Sequence, residues 1–203
     1  MKIICIGMNY VEHVRELNNV LPKKPVFFLK PETSLLLRNR PFYYPGFSNE
    51  IHYEIELVIK INRNGKFIQE KFAPLYYNEI GLGIDFTARD IQRQCKEKGL
   101  PWEIAKGFDS SAPLSKFISF EELKNRDNIK FHLDLNSKTV QCGNSKDMVF
   151  TFDKIISYVS QFMMLKMGDL IFTGTPAGVG PVKIGDRLEG FIESKKMFDF
   201  CVK

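Results

Sequence analysis

The stretch Ile51-His52-Tyr53-Glu54-Ile55-Glu56-Leu57-Val58-Ile59-Lys60-Ile61 decides the fold, because it carries the clearest strand pattern in the chain. Successive strand residues point to opposite faces, and one face here is apolar or aromatic, with Tyr53, Ile55, Leu57, Ile59 and Ile61. Glu54 and Glu56 share the other face. Two ionised carboxylates about 7 Å apart repel by about 2 kcal/mol at an effective dielectric near 20. Either a cation separates them or the face is solvated, as on an edge strand, and the strand alone favours the solvated face.

Length and composition predict one soluble domain spanning residues 1–203. A chain of 203 residues with 44% hydrophobic and 26% charged residues is ordinary for a globular protein. The apolar runs are too short to cross a membrane, and the first residues lack the apolar core of a secretory signal. We therefore expect a cytoplasmic protein with no membrane partner.

Charge and cysteine usage exclude two further classes. The net charge of +5 favours anionic partners, but there is no basic cluster interleaved with aromatic residues, so nucleic acid is not expected. The four cysteines are widely scattered without metal-ligand spacing, which predicts reduced thiols rather than a zinc site or a disulfide framework.

The first 17 residues predict a strand followed by a short helix. Residues 2–6 form a mostly apolar run, and Asn9 with Glu12 forms a capping-box pattern before an apolar face made of Tyr10, Val11, Val14 and Leu17. His13 and Glu16 are three residues apart and lie on the same side of this helix, within reach of each other.

The rest of the chain alternates short strands with few helices. Asp85 ends an apolar strand over residues 80–86, and Thr87 with Asp90 predicts the cap of a polar helix, so Asp90 has a local role and Asp85 has none. Residues 152–165 form the best amphipathic helix, and a strand at 169–173 leads into a glycine-rich stretch around Thr175. The predicted fold class is α+β, a β-rich mixed arrangement with a few short helices.

A set of polar residues is left without a structural reason: His13, Glu16, Glu54, Glu56, Asp85, Lys106, Asp109 and the stretch around Thr175. Three carboxylates from two strands suit oxygen-liganded Mg²⁺ or Mn²⁺. Spacing alone does not establish that they meet.

Five motifs in order resemble the fumarylacetoacetate hydrolase family. They are Asn9-Tyr10-x-x-His13-x-x-Glu16, His52-Tyr53-Glu54-Ile55-Glu56-Leu57, Asp85-Phe86-Thr87-Ala88-Arg89-Asp90-Ile91-Gln92, Ala105-Lys106-Gly107-Phe108-Asp109 and Thr173-Gly174-Thr175-Pro176-x-Gly178-Val179-Gly180. The resemblance covers nearly the whole chain and implies the sandwich or roll of that family's C-terminal domain. It points to the short subgroup of acylpyruvases, oxaloacetate decarboxylases and tautomerases, and 2-hydroxyhepta-2,4-diene-1,7-dioate isomerases, without the additional N-terminal domain of the larger enzyme.

The resemblance also assigns roles. It implies that Mg²⁺ or Mn²⁺ is held by Glu54, Glu56 and Asp85. It makes His13 the base of a dyad on a mobile helix and Glu16 its orienting partner. Lys106 resembles the lysine that meets the substrate and its oxyanion, Gln92 a contact of the lid region, and Thr175 the residue that holds the substrate carboxylate. Without the family resemblance, Lys106 is better explained as a surface lysine, Gln92 as a solvated helix glutamine and Thr175 as a turn threonine. Arg89 could either contact an anionic substrate or pair locally on the helix surface.

The leading hypothesis is therefore metal-dependent cleavage of a carbon–carbon bond in a small anionic 2-oxo acid, through a stabilised pyruvate enolate. An isomerase or tautomerase using the same site is the alternative, and a non-catalytic anion-binding domain is a third hypothesis from another class. The resemblance further implies a homodimer.

Overall fold

Helices are few and short in the computed structural model, which describes residues 1–16 and 20–203. The α-helices are Val11–Glu16 (α1), Arg89–Lys98 (α2), Glu103–Lys106 (α3) and Phe152–Phe162 (α4). Single 3₁₀ turns lie at Glu32–Ser34, Phe120–Glu122 and Ser145–Asp147, with a longer one at Glu70–Tyr76. Leu17, which the sequence assigns to the apolar face of the first helix, lies outside the described residues.

Fifteen strands in the described ranges form four sheets. The largest contains, in spatial order, Val26–Lys30 (β2), Ile3–Gly7 (β1), Leu170–Phe172 (β12), Ile55–Ile61 (β5), Tyr77–Ile84 (β6) and Ile118–Ser119 (β9). Only the β1–β12 pair of this sheet is parallel, so the sheet is mixed.

A four-stranded antiparallel sheet faces part of the first one. Its order is Lys138–Asn144 (β11), Lys130–Leu135 (β10), Arg187–Ile192 (β14) and Lys195–Cys201 (β15). The two small sheets contain Gly180–Pro181 (β13), Ile51–Tyr53 (β4) and Thr87–Ala88 (β7), and Leu35–Leu36 (β3) with Ala112–Pro113 (β8).

The core follows the apolar face predicted for the central stretch. Ile55, Leu57 and Ile59 are fully buried and belong to one cluster with residues of β10, β14, β15 and α4. The opposite face of the same sheet is also covered, since Val58 is fully buried in a second cluster with Phe172. Removal of apolar surface from water on both faces is the main stabilising contribution for such a strand.

The stretch at 51–61 differs from the prediction in one respect, because it is two strands rather than one. The chain changes sheets at Glu54, so that β4 pairs with β7 and β13 while β5 runs through the interior of the six-stranded sheet. The face bearing Glu54 and Glu56 is therefore buried, and the solvated edge-strand alternative is wrong.

The predicted α+β class is confirmed. None of the described helices is long and apolar enough to span a bilayer.

Candidate metal centre and active site

Three carboxylates meet where β5 and β6 lie side by side. The antiparallel register pairs Ile55 with Ile84, which brings Glu54 and Glu56 to the end of β6 where Asp85 follows. The backbone N–H of Asp85 donates to the carbonyl of Glu54 at 2.8 Å and fixes this corner. The three side chains are buried, and one oxygen from each lies within 4.8 Å of the other two.

Three buried cations surround this acidic group. The Lys106 Nζ, at the end of α3, lies 2.8 Å from Glu54 Oε2 and 2.7 Å from Asp85 Oδ2. Arg89 donates to Glu54 Oε1 at 2.6 Å, and Lys30 Nζ lies 2.8 Å from Asp85 Oδ1 without hydrogen-bond geometry. Glu54 and Asp85 are thus each in contact with buried cations, which offsets the cost of burying their charges.

The cations are not shared equally among the carboxylates. Burial alone would raise the pKa of the Glu54 carboxyl, but the positive charges of Lys106 and Arg89 outweigh burial and lower that pKa. The pKa of the Glu56 carboxyl is raised well above its ordinary value by burial and then by the negative charges of Asp85 and Glu54. Glu56 accepts a hydrogen bond from the backbone N–H of Gly174 at 2.7 Å, and no ion pair joins it to a described residue. Positive charge is therefore deficient on the Glu56 side.

This donor set fits a hard divalent cation. Mg²⁺ takes oxygen ligands at about 2.1 Å, so its ligand oxygens lie within roughly 4.2 Å of one another. The observed 4.8 Å limit is close to that spacing. Carboxylates alone, with no sulfur and no imidazole in the group, suit Mg²⁺ or Mn²⁺ better than zinc.

The predicted histidine–glutamate pair forms as expected on α1. His13 is 5% exposed, and its Nδ1 lies 3.1 Å from Glu16 Oε2. Glu16 uses its other oxygen to accept a hydrogen bond from the backbone N–H of Gly178 at 3.0 Å. One carboxylate therefore joins the histidine to the glycine-rich loop.

The loop that carries Thr175 reaches the carboxylates through its backbone. Gly174, which donates to Glu56, has φ = +99°, and a Cβ there would lie 2.6 Å from the Cβ of Asn9. Only glycine fits this position without strain. Thr175 itself is 3% exposed, and its hydroxyl accepts a hydrogen bond from Gln141 at 3.0 Å.

These residues line one cleft. Seven of the eight predicted site residues form its wall, and the eighth, Glu16, contacts the cleft residue His13. The cleft lining comprises Ile6, Gly7, Met8, His13, Phe28, Glu54, Glu56, Asp85, Arg89, Gln92, Lys96, Trp102, Lys106 and Thr175. Gln92 is buried and accepts a hydrogen bond from Arg89 at 2.6 Å. Asp109, by contrast, is exposed and is not part of this lining.

Two local explanations from the sequence are wrong. Asn9 does not cap α1, because its side chain instead bonds the backbone of Phe150 and Thr173. Thr87 does not cap α2, because its hydroxyl accepts a hydrogen bond from Lys106 at 2.6 Å. Asp90 keeps one local bond, from the backbone N–H of Ile91, and also accepts hydrogen bonds from Ser48 and Asn49. Long-range partners compete successfully with local capping at both positions.

Sequence reasoning missed Lys30 and Gln141 and left Arg89 undecided. Lys30 ends an apolar strand and precedes Pro31, and nothing in that context distinguishes it from a solvated strand end. Arg89 is 7% exposed, which settles its location inside the protein. The signal that would have helped is the position of Arg89 directly after the Asp85-Phe86-Thr87-Ala88 run, since that run places its side chain beside the carboxylates.

Comparisons with known proteins bear on the family to which this chain belongs. The sequence model of the family described as "Fumarylacetoacetate (FAA) hydrolase C-terminal" matches residues 2–198. The chain is 40% identical over 201 residues to a mitochondrial oxaloacetate tautomerase of Bos taurus, covering 99% of this chain and 91% of the relative. It is 43% identical over 189 residues to a mitochondrial oxaloacetate decarboxylase of Dictyostelium discoideum, covering 93% and 87%.

A solved structure gives the same result for the fold. The fumarylpyruvate hydrolase of Pseudomonas aeruginosa in complex with Mn²⁺ and pyruvate superposes with a TM-score of 0.94 at 32% identity, covering 100% of this chain and 89% of that one. The match to the family model and the identity over nearly the full length leave one conclusion. The chain belongs to the fumarylacetoacetate hydrolase family.

Proposed function

We propose that this protein is a metal-dependent enzyme that forms and stabilises the enolate of a small 2-oxo acid, with oxaloacetate tautomerisation as its first activity. The observation that carries the proposal is the single cleft that contains the three carboxylates, Lys106 and the His13–Glu16 pair. This combination offers a cation site, a fixed ammonium and a base to one small molecule.

In this proposal Glu54, Glu56 and Asp85 hold Mg²⁺ or Mn²⁺. The bound ion supplies Lewis acidity, which stabilises negative charge on a substrate oxygen. Glu56, the carboxylate without an ionic partner among the described residues, gains most from that cation.

Three side chains would move the proton, hold the base in place and stabilise the developing charge. His13 would remove a proton from C3 of oxaloacetate, the electron pair would move toward the C2 carbonyl oxygen, and protonation of that oxygen gives the enol. Glu16 holds the imidazole ring and supports its positive charge after the transfer. Lys106 now donates its three hydrogens to Glu54, Asp85 and Thr87, and in this proposal it would redirect one of them to the substrate oxygen on which charge develops.

Binding of an anionic substrate has support from three features of the cleft. Thr175 and the loop backbone would hold the C1 carboxylate, and Gln92 would contact the substrate from α2. Arg89 Nε is buried and has no hydrogen-bond partner among the described residues, so it is free to donate to a substrate oxygen. The cleft has about 50 Å³ of free space, room for a few water molecules, and we expect it to widen when substrate enters.

Carbon–carbon cleavage, the first hypothesis from the sequence, is the second candidate. It is supported by the 43% identity to an oxaloacetate decarboxylase and by the likeness to a fumarylpyruvate hydrolase in complex with pyruvate. In decarboxylation the C3–C4 bond breaks, CO₂ leaves, and the remaining enolate is protonated at C3 to give pyruvate. In acylpyruvate hydrolysis His13 would take a proton from water, the hydroxide would attack the distal acyl carbon, and the same enolate would leave.

One set of assays separates these activities. Purified protein stripped with EDTA is given Mg²⁺ or Mn²⁺ and then enol oxaloacetate or acetylpyruvate, with absorbance and pyruvate release followed in parallel. Tautomerisation changes absorbance without releasing pyruvate, whereas cleavage releases it. The proposal fails if neither substrate reacts faster with the protein than in the same metal-containing buffer without it, or if turnover is insensitive to metal removal.

His13→Ala tests the base within the same assays. It should suppress tautomerisation and acylpyruvate hydrolysis more than decarboxylation, because loss of CO₂ requires no base. His132→Ala is the matched control, since His132 lies on β10 stacked on Phe191 and does not line the cleft. Normal hydrolysis of acetylpyruvate by His13→Ala would remove His13 from the mechanism.

We propose a single catalytic domain over residues 1–203 that acts as a homodimer, as the family resemblance implies. Light scattering should give twice the chain mass of 23.5 kDa, and a monomeric mass would reject the dimer.

A further inference from the structure

Gln141 is a buried amide that none of the proposed steps uses. It lies on β11 in the four-stranded sheet, is 1% exposed, and has partners on two other parts of the fold. Its Oε1 accepts a hydrogen bond from the backbone N–H of Ile55 at 3.0 Å. Its Nε2 donates to Thr175 Oγ1 at 3.0 Å and to the carbonyl of Pro176 at 2.9 Å. Both amide hydrogens and one oxygen lone pair are therefore engaged.

The two ends of this amide serve different halves of the site. Ile55 stands between Glu54 and Glu56, so the Oε1 contact fixes the backbone that separates two of the carboxylates. Thr175 and Pro176 belong to the glycine-rich loop, so the Nε2 contacts fix the segment proposed to hold the substrate carboxylate. A side chain from the four-stranded sheet thus bridges the carboxylate strand and the loop.

The same loop continues to the histidine. Gly178 N donates to Glu16 Oε1 at 3.0 Å, and Glu16 Oε2 lies 3.1 Å from His13 Nδ1. Gly178 has φ = +98°, and a Cβ there would lie 2.5 Å from the carbonyl oxygen of Val140, next to Gln141. The loop is therefore packed closely on β11, and its position bears on both the substrate site and the His13–Glu16 pair.

We propose that Gln141 is a positioning residue that holds the Thr175 loop in register with the carboxylate strand, so that substrate, base and metal site are set at a fixed separation. This inference rests on the proposed function. It predicts that loss of the amide weakens binding of a 2-oxo acid and lowers turnover, while the carboxylates keep most of their affinity for the metal. A residue needed only for folding would not separate those two affinities.

Two variants test the inference. Gln141→Met keeps the length of the side chain and removes all three hydrogen bonds. Gln141→Glu keeps an acceptor for Ile55 N but has no hydrogen to donate to the Pro176 carbonyl. Asn144→Ala is the matched structural control, because Asn144 is a buried amide three residues further along β11 whose bonds go to Asn128 and Lys146.

The measurements are calorimetric titration with Mn²⁺ alone, titration of the Mn²⁺-loaded protein with pyruvate, steady-state kinetics with oxaloacetate, and thermal unfolding. For Gln141→Met we expect kcat/KM to fall about 10- to 100-fold, the range for residues that orient a metal site, with much of the loss in KM. The pyruvate Kd should rise about tenfold, while the Mn²⁺ Kd changes less than about threefold. Gln141→Glu should show the same pattern, and Asn144→Ala should lower the unfolding temperature without changing either Kd.

Three outcomes overturn the inference. Wild-type pyruvate affinity and KM in both Gln141 variants would show that the loop does not need the amide. An equal loss of Mn²⁺ and pyruvate affinity would place the role in the carboxylate strand rather than in the loop. If Asn144→Ala lost as much pyruvate affinity and kcat/KM as the Gln141 variants, at the same unfolding temperature, Gln141 would have only a structural role. If the wild-type protein bound neither Mn²⁺ nor pyruvate, the proposed function would fail first, and the role of Gln141 with it.

Discussion

Two lysine–carboxylate pairs in this protein have the same length and different surroundings. Lys30 Nζ lies 2.8 Å from Asp85, with side chains 0% and 2% exposed, and Lys195 Nζ lies 2.8 Å from Glu122, with side chains 53% and 51% exposed. The first pair adjoins the candidate metal centre, and the second joins the start of β15 to a 3₁₀ turn.

The difference between the pairs lies in what water can do after one partner is removed. Around Glu122 water replaces the lysine, so little is lost. The Asp85 side chain is only 2% exposed, so bulk water reaches it poorly, and Lys30 also donates to the carbonyls of Phe86 and Ser111 and to the Ser111 hydroxyl. Equal distances therefore correspond to very different free energies, and burial decides between them.

Lys30→Met should produce the largest change in stability. It leaves a buried aspartate without one of its cations and strands several carbonyl oxygens, which lowers the free energy of unfolding by about 3–5 kcal/mol. Urea denaturation measures the loss, with Lys195→Met as the same substitution at the exposed pair. Equal losses in the two variants would contradict the role assigned to burial.

Glu54→Gln should produce the largest change in activity. It keeps the shape of the side chain but removes the charge that Lys106 and Arg89 share. Since residues around a metal already affect activity 10- to 100-fold, loss of a ligand charge should lower kcat/KM with Mg²⁺ by at least about 100-fold. Glu79→Gln, at the half-exposed pair with Lys60, is the control and should retain wild-type turnover.

Lys2→Met should lower the free energy of unfolding by less than Lys30→Met and by more than Lys195→Met. Its partner Asp169 is 1% exposed while Lys2 is 28% exposed, and Asp169 keeps hydrogen bonds from the backbone N–H groups of Lys2 and Lys166. We expect a loss of about 1 kcal/mol in the free energy of unfolding, between the values for exposed and buried pairs. A loss as large as that of Lys30→Met would show that exposure of the cation is irrelevant.

Lys195→Met should have the smallest effect, and that effect should depend on pH and salt. The hydrogen bond from Lys195 lowers the pKa of Glu122, so the folded protein binds this proton less tightly than the unfolded chain. The contribution of the pair is therefore present at neutral pH and is lost as Glu122 becomes protonated, below about pH 4. Unfolding at pH 7 and pH 3, with and without 1 M salt, measures it. A difference between wild type and variant that persisted at pH 3 would argue against the pair as its source.

The fold class was predictable because its signal is periodic and local. The alternation at residues 55, 57, 59 and 61 correctly identified a buried face, and the amphipathic pattern identified α4. The switch between sheets at Glu54 was not predictable, since the hydrogen bonds that end β4 and begin β5 come from strands distant in the sequence. The caps predicted at Asn9 and Thr87 failed for the same reason.

The sequence predicted the main residues of the site but missed two buried residues that contact them. The motifs brought eight residues forward, and the structure gathers them in and beside one cleft. Lys30 and Gln141 carry no local signal, because a lysine at a strand end and a glutamine in a polar strand are normally solvated. Their burial follows from packing of one sheet or loop against another.

By itself, then, the sequence determined which side chains are available and on which face of each strand or helix they lie, because those properties follow from backbone periodicity. Only the tertiary structure decided that Glu54, Glu56 and Asp85 meet, that Lys106, Arg89 and Lys30 surround them, and that Gln141 links the carboxylate strand to the Thr175 loop. The physical reason is that these contacts join residues separated by up to 86 positions, as between Ile55 and Gln141, and depend on charges whose free energy is set by burial.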